Sequence, residues 1–153
     1  MYHENAINLN KENIKDINYS DVIAITIAEE GAMGEENAFQ AVLKDLTTYY
    51  INLEDTDISP KEFHNAFPVM KEFSCFFGKV KCPDKDWVCV YMGYGNYLLV
   101  RHEYETSLNK YLKDNFKDGY GNGELYQSWY SVIKNITGNK RTRKVSKKGD
   151  KNG

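Results

Sequence analysis

Residues Trp87 to Arg101 read WVCVYMGYGNYLLVR, two apolar runs on either side of Gly93-Tyr94-Gly95-Asn96. Trp87 to Met92 and Tyr97 to Val100 are rich in β-branched and aromatic types. The residues between them include two glycines and an asparagine, which tolerate positive φ. The stretch therefore reads as a β-hairpin and not as a buried helix. Apolar side chains occupy both faces of the first strand, Trp87, Cys89 and Tyr91 on one and Val88, Val90 and Met92 on the other. Strands of that kind suit a position covered on both sides, so the hairpin is expected inside its sheet and not at an edge.

Outward from the hairpin, the chain alternates strand and helix signals. VIAITIA, from Val22, puts Ile23, Ile25 and Ile27 on one face and Val22, Ala24, Thr26 and Ala28 on the other, a small face that could lie under a helix. AFQAVLKDLTTYYINL fits one helix through Phe39, Leu43 and Leu46, but its Thr-Thr-Tyr-Tyr-Ile run favours two strands, about 38–43 and 47–53. Ser59-Pro60-Lys61-Glu62 is a capping box with proline at the first helical position, so a helix starts at Pro60. Phe63 and Phe67 line its apolar face, and Pro68 is expected to stop or kink it. Residues 69–86 read as irregular, with a strand near Ser74 to Phe77.

Past Arg101, residues Tyr104, Leu108, Tyr111, Leu112 and Phe116 share one helical face, and Leu125, Trp129, Val132, Ile133 and Ile136 share another. Gly119, Gly121 and Gly123 make a hinge between the two helices, and Gly138 ends the second. At the other end, Ile14 and Ile17 suggest a short docking helix. The expected architecture is α+β, a mostly antiparallel sheet with a C-terminal helix pair packed on one face.

The 153 residues, 41% hydrophobic and 27% charged, suit one domain with a real core, placed at 1–138. The net charge of −2 conceals an asymmetry: residues 139–153 carry seven Lys and Arg against Asp150, a balance of +6, which leaves −8 on residues 1–138. That tail, with Val145 its one large apolar residue, is expected to be disordered. No leader pattern opens the chain, and no apolar run approaches the roughly 18 to 20 residues of a membrane span, so the expected compartment is the cytoplasm and no membrane partner is expected. Cys75, Cys82 and Cys89 are odd in number and spaced by seven, a pattern of neither a disulfide framework nor a paired zinc motif, and are read as reduced structural residues.

Motifs for catalysis, metals and cofactors are missing. Gly93-Tyr94-Gly95 lacks the third glycine of a dinucleotide fingerprint and is followed by a strand where that motif needs a helix. Gly119, Gly121 and Gly123 lack the Lys-Ser/Thr ending of a phosphate loop. His3, His64 and His102 are far apart in sequence, and EEGAMGEE lacks the alternating ligands of a calcium loop. No catalytic residue, metal ligand or cofactor is assigned. A small enzyme of unrecognised type and a regulatory interaction protein remain as alternatives.

EEGAMGEENAF, TYYINLEDTDIS, AFPVMKEF, WVCVYMGYGNYLLVR and YQSWYSVIKNI together resemble a group of small bacterial proteins, some of them immunity proteins of polymorphic or contact-dependent toxin systems. The likeness spans about residues 20–137. It implies a non-catalytic protein that binds and neutralises a toxin domain, and it transfers no functional residue. The acidic body fits a basic protein partner on separate grounds, because complementary potentials speed association and select partners. Nucleic acid would bind only weakly, through the tail. The candidate partner-binding residues are Glu29, Glu30, Glu35 and Glu36 after the first strong strand, Glu54, Asp55 and Asp57 after another, and Tyr94 at the hairpin turn.

Overall fold

The computed structural model describes residues 5–32, 36–116 and 123–138. In chain order the elements are β1 (Ile7–Asn8), β2 (Val22–Ala28), β3 (Ala38–Leu43), β4 (Thr48–Asn52), α1 (Pro60–Ala66), β5 (Ser74–Phe76), β6 (Lys79–Lys81), β7 (Trp87–Gly93), β8 (Asn96–Arg101), α2 (Glu105–Asn115) and α3 (Glu124–Ile136). The fold is α+β. Six strands form one sheet in the order β1-β4-β3-β2-β8-β7, antiparallel throughout except that β1 runs parallel to β4. β5 and β6 make a separate two-stranded hairpin.

Both faces of the large sheet are covered, which explains why all seven residues of β2 are buried. On one face Ile23, Ala24, Val42, Met92, Leu98 and Val100 meet the apolar stripes of α2 and α3, including Leu108, Leu112, Leu125, Trp129 and Ile133. On the other, Ile25, Phe39, Ile51, Trp87, Tyr97 and Leu99 meet Ile14, Ile58, Phe63, Phe67, Val69 and Met70. The capping box at Ser59 is present in both directions, with the Glu62 N–H donating to the Ser59 hydroxyl at 3.1 Å and the Ser59 N–H to the Glu62 carboxylate at 3.0 Å. The helix it starts ends at Ala66, just ahead of Pro68.

Three expectations are corrected. First, the Trp87–Arg101 hairpin lies at one end of the sheet: β8 is interior, but β7 is the outermost strand. Apolar residues on both faces reported that β7 is covered above and below, by α3 on one side and by Cys75 and Cys82 of the β5–β6 region on the other, and such cover does not require a neighbouring strand. Second, the alternation of β2 is broken by an irregularity between Val22 and Ala24, where pairing to β3 shifts by one residue. Val22 therefore joins Ile25 and Ile27, while Ile23 crosses to the helix-covered face beside Ala24. Third, residues 69–86 are not mainly irregular: Pro68–Lys71 forms a 3-10 turn, and β5 has a partner in β6. At the N-terminal end the expected short docking helix is a 3-10 turn, Asn13–Asp16, which buries Ile14. The β1 strand was not foreseen, since two exposed residues carry no periodicity. The proposed hinge lies outside the described residues except Gly123, as does the basic tail.

Candidate functional site

Strands β2 and β4 flank β3 antiparallel to it, so both finish at the same end of the sheet. The backbone joins their exits there. Asn37, at the start of β3, donates its N–H to Ala28 O at 3.1 Å and accepts from Leu53 N at 3.0 Å. The β7–β8 turn arrives at the same place, because Glu29 N donates to Gly95 O at 2.9 Å. Glu29, Glu30 and Glu36, the Glu54 to Asp57 loop and Tyr94 are thus brought to one end of the sheet, although 65 positions separate Glu29 from Tyr94.

The individual side chains differ in what they can offer. Glu30, Glu54 and Asp55 are exposed. Glu36 is exposed too, but one of its carboxylate oxygens closes its own loop by accepting from Gly31 N at 2.6 Å. Asp57 accepts from Lys11 N at 3.1 Å and so ties down the N-terminal segment. Glu35 lies outside the described residues. Tyr94 has φ 55° and is 45% exposed, its ring resting against Gly123, where any side chain would collide with it.

Glu29 is half-buried, and both its carboxylate oxygens are engaged within the fold. One carboxylate oxygen accepts from the Tyr97 hydroxyl at 2.7 Å, and the other accepts from Phe77 N at 3.0 Å. The same hydroxyl accepts from Gly78 N at 2.8 Å. Two successive N–H groups at the tip of the β5–β6 hairpin are therefore held by a Glu29–Tyr97 latch rooted in the main sheet. Burial, reinforced by the neighbouring carboxylate, pushes the Tyr97 phenol well above its usual range, so it is protonated and able to donate at neutral pH.

What the latch holds was missed from the sequence. Phe76 and Phe77 are 62% and 79% exposed, with ring centroids 4.1 Å apart. Phe77 has φ 51° and Gly78 φ 79°, so both central residues of this two-residue turn are left-handed. A phenylalanine in that conformation costs on the order of 1–2 kcal/mol. The readable signal was Phe-Gly between short strand-like runs in SCFFGKVK.

Beside β4 and α1 an open cleft of about 290 Å³ is lined by Ile51, Leu53, Thr56, Ile58, Pro60, Phe63 and His64. Glu54, Asp55 and Asp57 belong to the loop that forms its wall. A second depression lies around Tyr19, Asp86, Arg101 and His102. There the Arg101 guanidinium lies over the rings of both Tyr19 and Trp87, 4.6 and 4.3 Å from their centroids. It donates to the carbonyls of Val22 and Tyr19 at 2.8 and 2.6 Å, so its donors bind the chain to itself. His102 faces Glu105 at 3.1 Å on the surface.

Among the described residues no group of three or more His, Cys, Asp or Glu is placed to hold a metal ion. No helix among them is long and apolar enough to cross a membrane. The three cysteines are free and half-buried. Burial, with Glu29 adding to it, pushes the Cys75 thiol up to about 12, and burial raises Cys82 and Cys89 as well. Since the thiolate is the reactive form, iodoacetamide at pH 8 is expected to alkylate Cys75 in the folded protein at least ~10-fold more slowly than in denaturant, read by mass spectrometry. Equal rates would show that the site is open.

Compared with known proteins, the chain matches no protein family, no curated protein and no solved structure.

Proposed function

We propose that this chain is a non-catalytic binding protein of the immunity type, which captures and neutralises a basic toxin domain on the loop end of its sheet. The observation that supports this reading most directly is the convergence of the acidic loop after β2, the acidic loop after β4 and the Tyr94 turn on that one end. Loops fixed by a rigid sheet are common recognition sites. Exposed carboxylates there would steer a basic partner and raise its association rate. Glu30, Glu54 and Asp55 are the carboxylates available for this. Glu29 contributes indirectly, by fixing the Phe76–Phe77 tip at the same end of the sheet.

The test uses a basic toxin domain, sought first among the products of the genes beside this protein's own. Glu30→Lys, Glu54→Lys and Asp55→Lys combined should slow association about 10-fold or more at low salt while leaving dissociation little changed. Raising ionic strength toward 0.5 M should slow the wild type toward the variant. Unchanged association by a folded variant would place the interface elsewhere, and the lack of any complex would remove the toxin-binding reading.

A further inference from the structure

The β5–β6 hairpin and the cleft beside α1 are complementary in shape and in charge. From Ser74 to Cys82 the hairpin carries Lys79 and Lys81 and no acidic residue. Phe76 pairs with Lys79 across the hairpin, and Ser74 with Lys81, so these four side chains share its outer face. The result is a projecting pair of phenyl rings next to two exposed ammonium groups. The cleft presents the reverse, an apolar recess floored by Ile51, Leu53, Ile58 and Phe63 with Glu54 and Asp55 exposed on its rim.

We propose that two copies of this chain pair face to face, each inserting its Phe76–Phe77 tip into the other's acid-rimmed cleft. The topology permits such reciprocity. Tip and cleft lie on the same face of the sheet, since Phe73, Cys75 and Cys82 pack into the cluster that contains Ile51, Ile58 and Phe63. They also lie at the same end, the tip latched to Glu29 after β2 and the cleft bounded by Leu53 after β4. Laterally they stand on opposite flanks, with β3 and β2 between β4 and β8, a separation of roughly 14 Å at about 4.8 Å per strand. A two-fold axis parallel to the strands, midway between two such faces, carries each tip over the other copy's cleft. The contact is then closed and self-complementary, and does not propagate into a filament.

The size suits a reversible contact. With Phe76 62% and Phe77 79% exposed, two tips offer about 420–700 Å² at about 150–250 Å² per full side chain, and a comparable area of cleft wall brings the total to about 850–1,400 Å², reaching the lower part of the ~1,200–2,000 Å² of a specific interface. Phe77 supports the same inference from strain: a bulky aromatic in a left-handed turn, mostly exposed, adds nothing to the core and is held in place by a dedicated latch. The pairing does not rest on toxin capture, and the two would compete for Glu54 and Asp55.

Sedimentation velocity of the purified full chain from about 1 to 200 µM tests the proposal. The expected species is a reversible dimer of the 17.7 kDa chain, weakened by salt. Phe76→Thr with Phe77→Asn should abolish it without loss of fold, because Thr suits a strand and Asn-Gly suits this turn. Lys79→Glu with Lys81→Glu should weaken dimerisation at least 10-fold, as should Glu54→Lys with Asp55→Lys. All four changes in one chain should restore it to within about threefold. A monomer at every concentration overturns the proposal and leaves the tip to a foreign partner. A dimer insensitive to the Phe76 and Phe77 changes, or not restored by the charge swap, overturns it as well.

Discussion

Phe39→Ala should lower the stability of the fold by about 3–5 kcal/mol, the largest loss expected from a single truncation here. Phe39 is fully buried on β3, with its ring edge-on to Phe63 at 4.8 Å and tilted against Phe67 at 4.8 Å, while those two lie 5.4 Å from each other. This triad attaches α1 to the sheet. A helix of seven residues has little intrinsic stability, so its position depends on packing. Removing the ring leaves a cavity that α1 can fill only by moving, and α1 also forms one wall of the cleft. In urea the midpoint should fall with the slope unchanged. Against a total stability of about 5–15 kcal/mol the variant would be severely weakened. A loss below about 1 kcal/mol would show that the triad is not packed as described. Combining Phe39→Ala with Phe63→Ala should cost less than the sum of the two, because the rings share one contact.

What the sequence revealed and what it concealed follow from how much of each feature is local. The Ser59 capping box and its helix, β3 and β4, the β7–β8 hairpin and the two C-terminal helices were all readable, because cap chemistry, turn residues and periodicity act over a few positions. The edge position of β7 was not, since side chains report what covers the faces of a strand and are silent about its neighbours. The irregularity in β2 was equally hidden: a strand apolar on both faces gives no sign when its alternation slips by one residue. The acidic loops were visible as charge, but their meeting at one end depends on strand order. The internal bonds of Glu29 were hidden for the same reason. Its partners Phe77 and Tyr97 are 48 and 68 positions away, and only the fold distinguishes this carboxylate from the exposed Glu30 beside it.

That distinction leads to the second large effect. Tyr97→Phe should cost about 1.5–3 kcal/mol, because it removes a hydrogen bond to a charged acceptor and leaves both Gly78 N–H and one Glu29 oxygen without their partner. The damage should be concentrated at the hairpin tip. Tyr97 keeps its packing as phenylalanine, its ring still tilted against Tyr91 at about 5.0 Å, so the main sheet should persist. Phe77 and Gly78 sit near water, so the freed groups can be solvated once the tip lifts away. Hydrogen exchange at these two amides should accelerate about 10- to 100-fold, while amides of β2 and β8 should change only by the global loss. The pH dependence has a definite sign. Tyr97 has a pKa raised above its ordinary value of 10.0, so its contribution is complete at neutral pH and declines as pH rises past about 10. Wild type and Tyr97→Phe should therefore converge in stability at high pH. If the gap between them stays constant from pH 7 to 11, the phenol is not buried and hydrogen-bonded as the latch requires, and the exposed Phe76–Phe77 pair would need some other support.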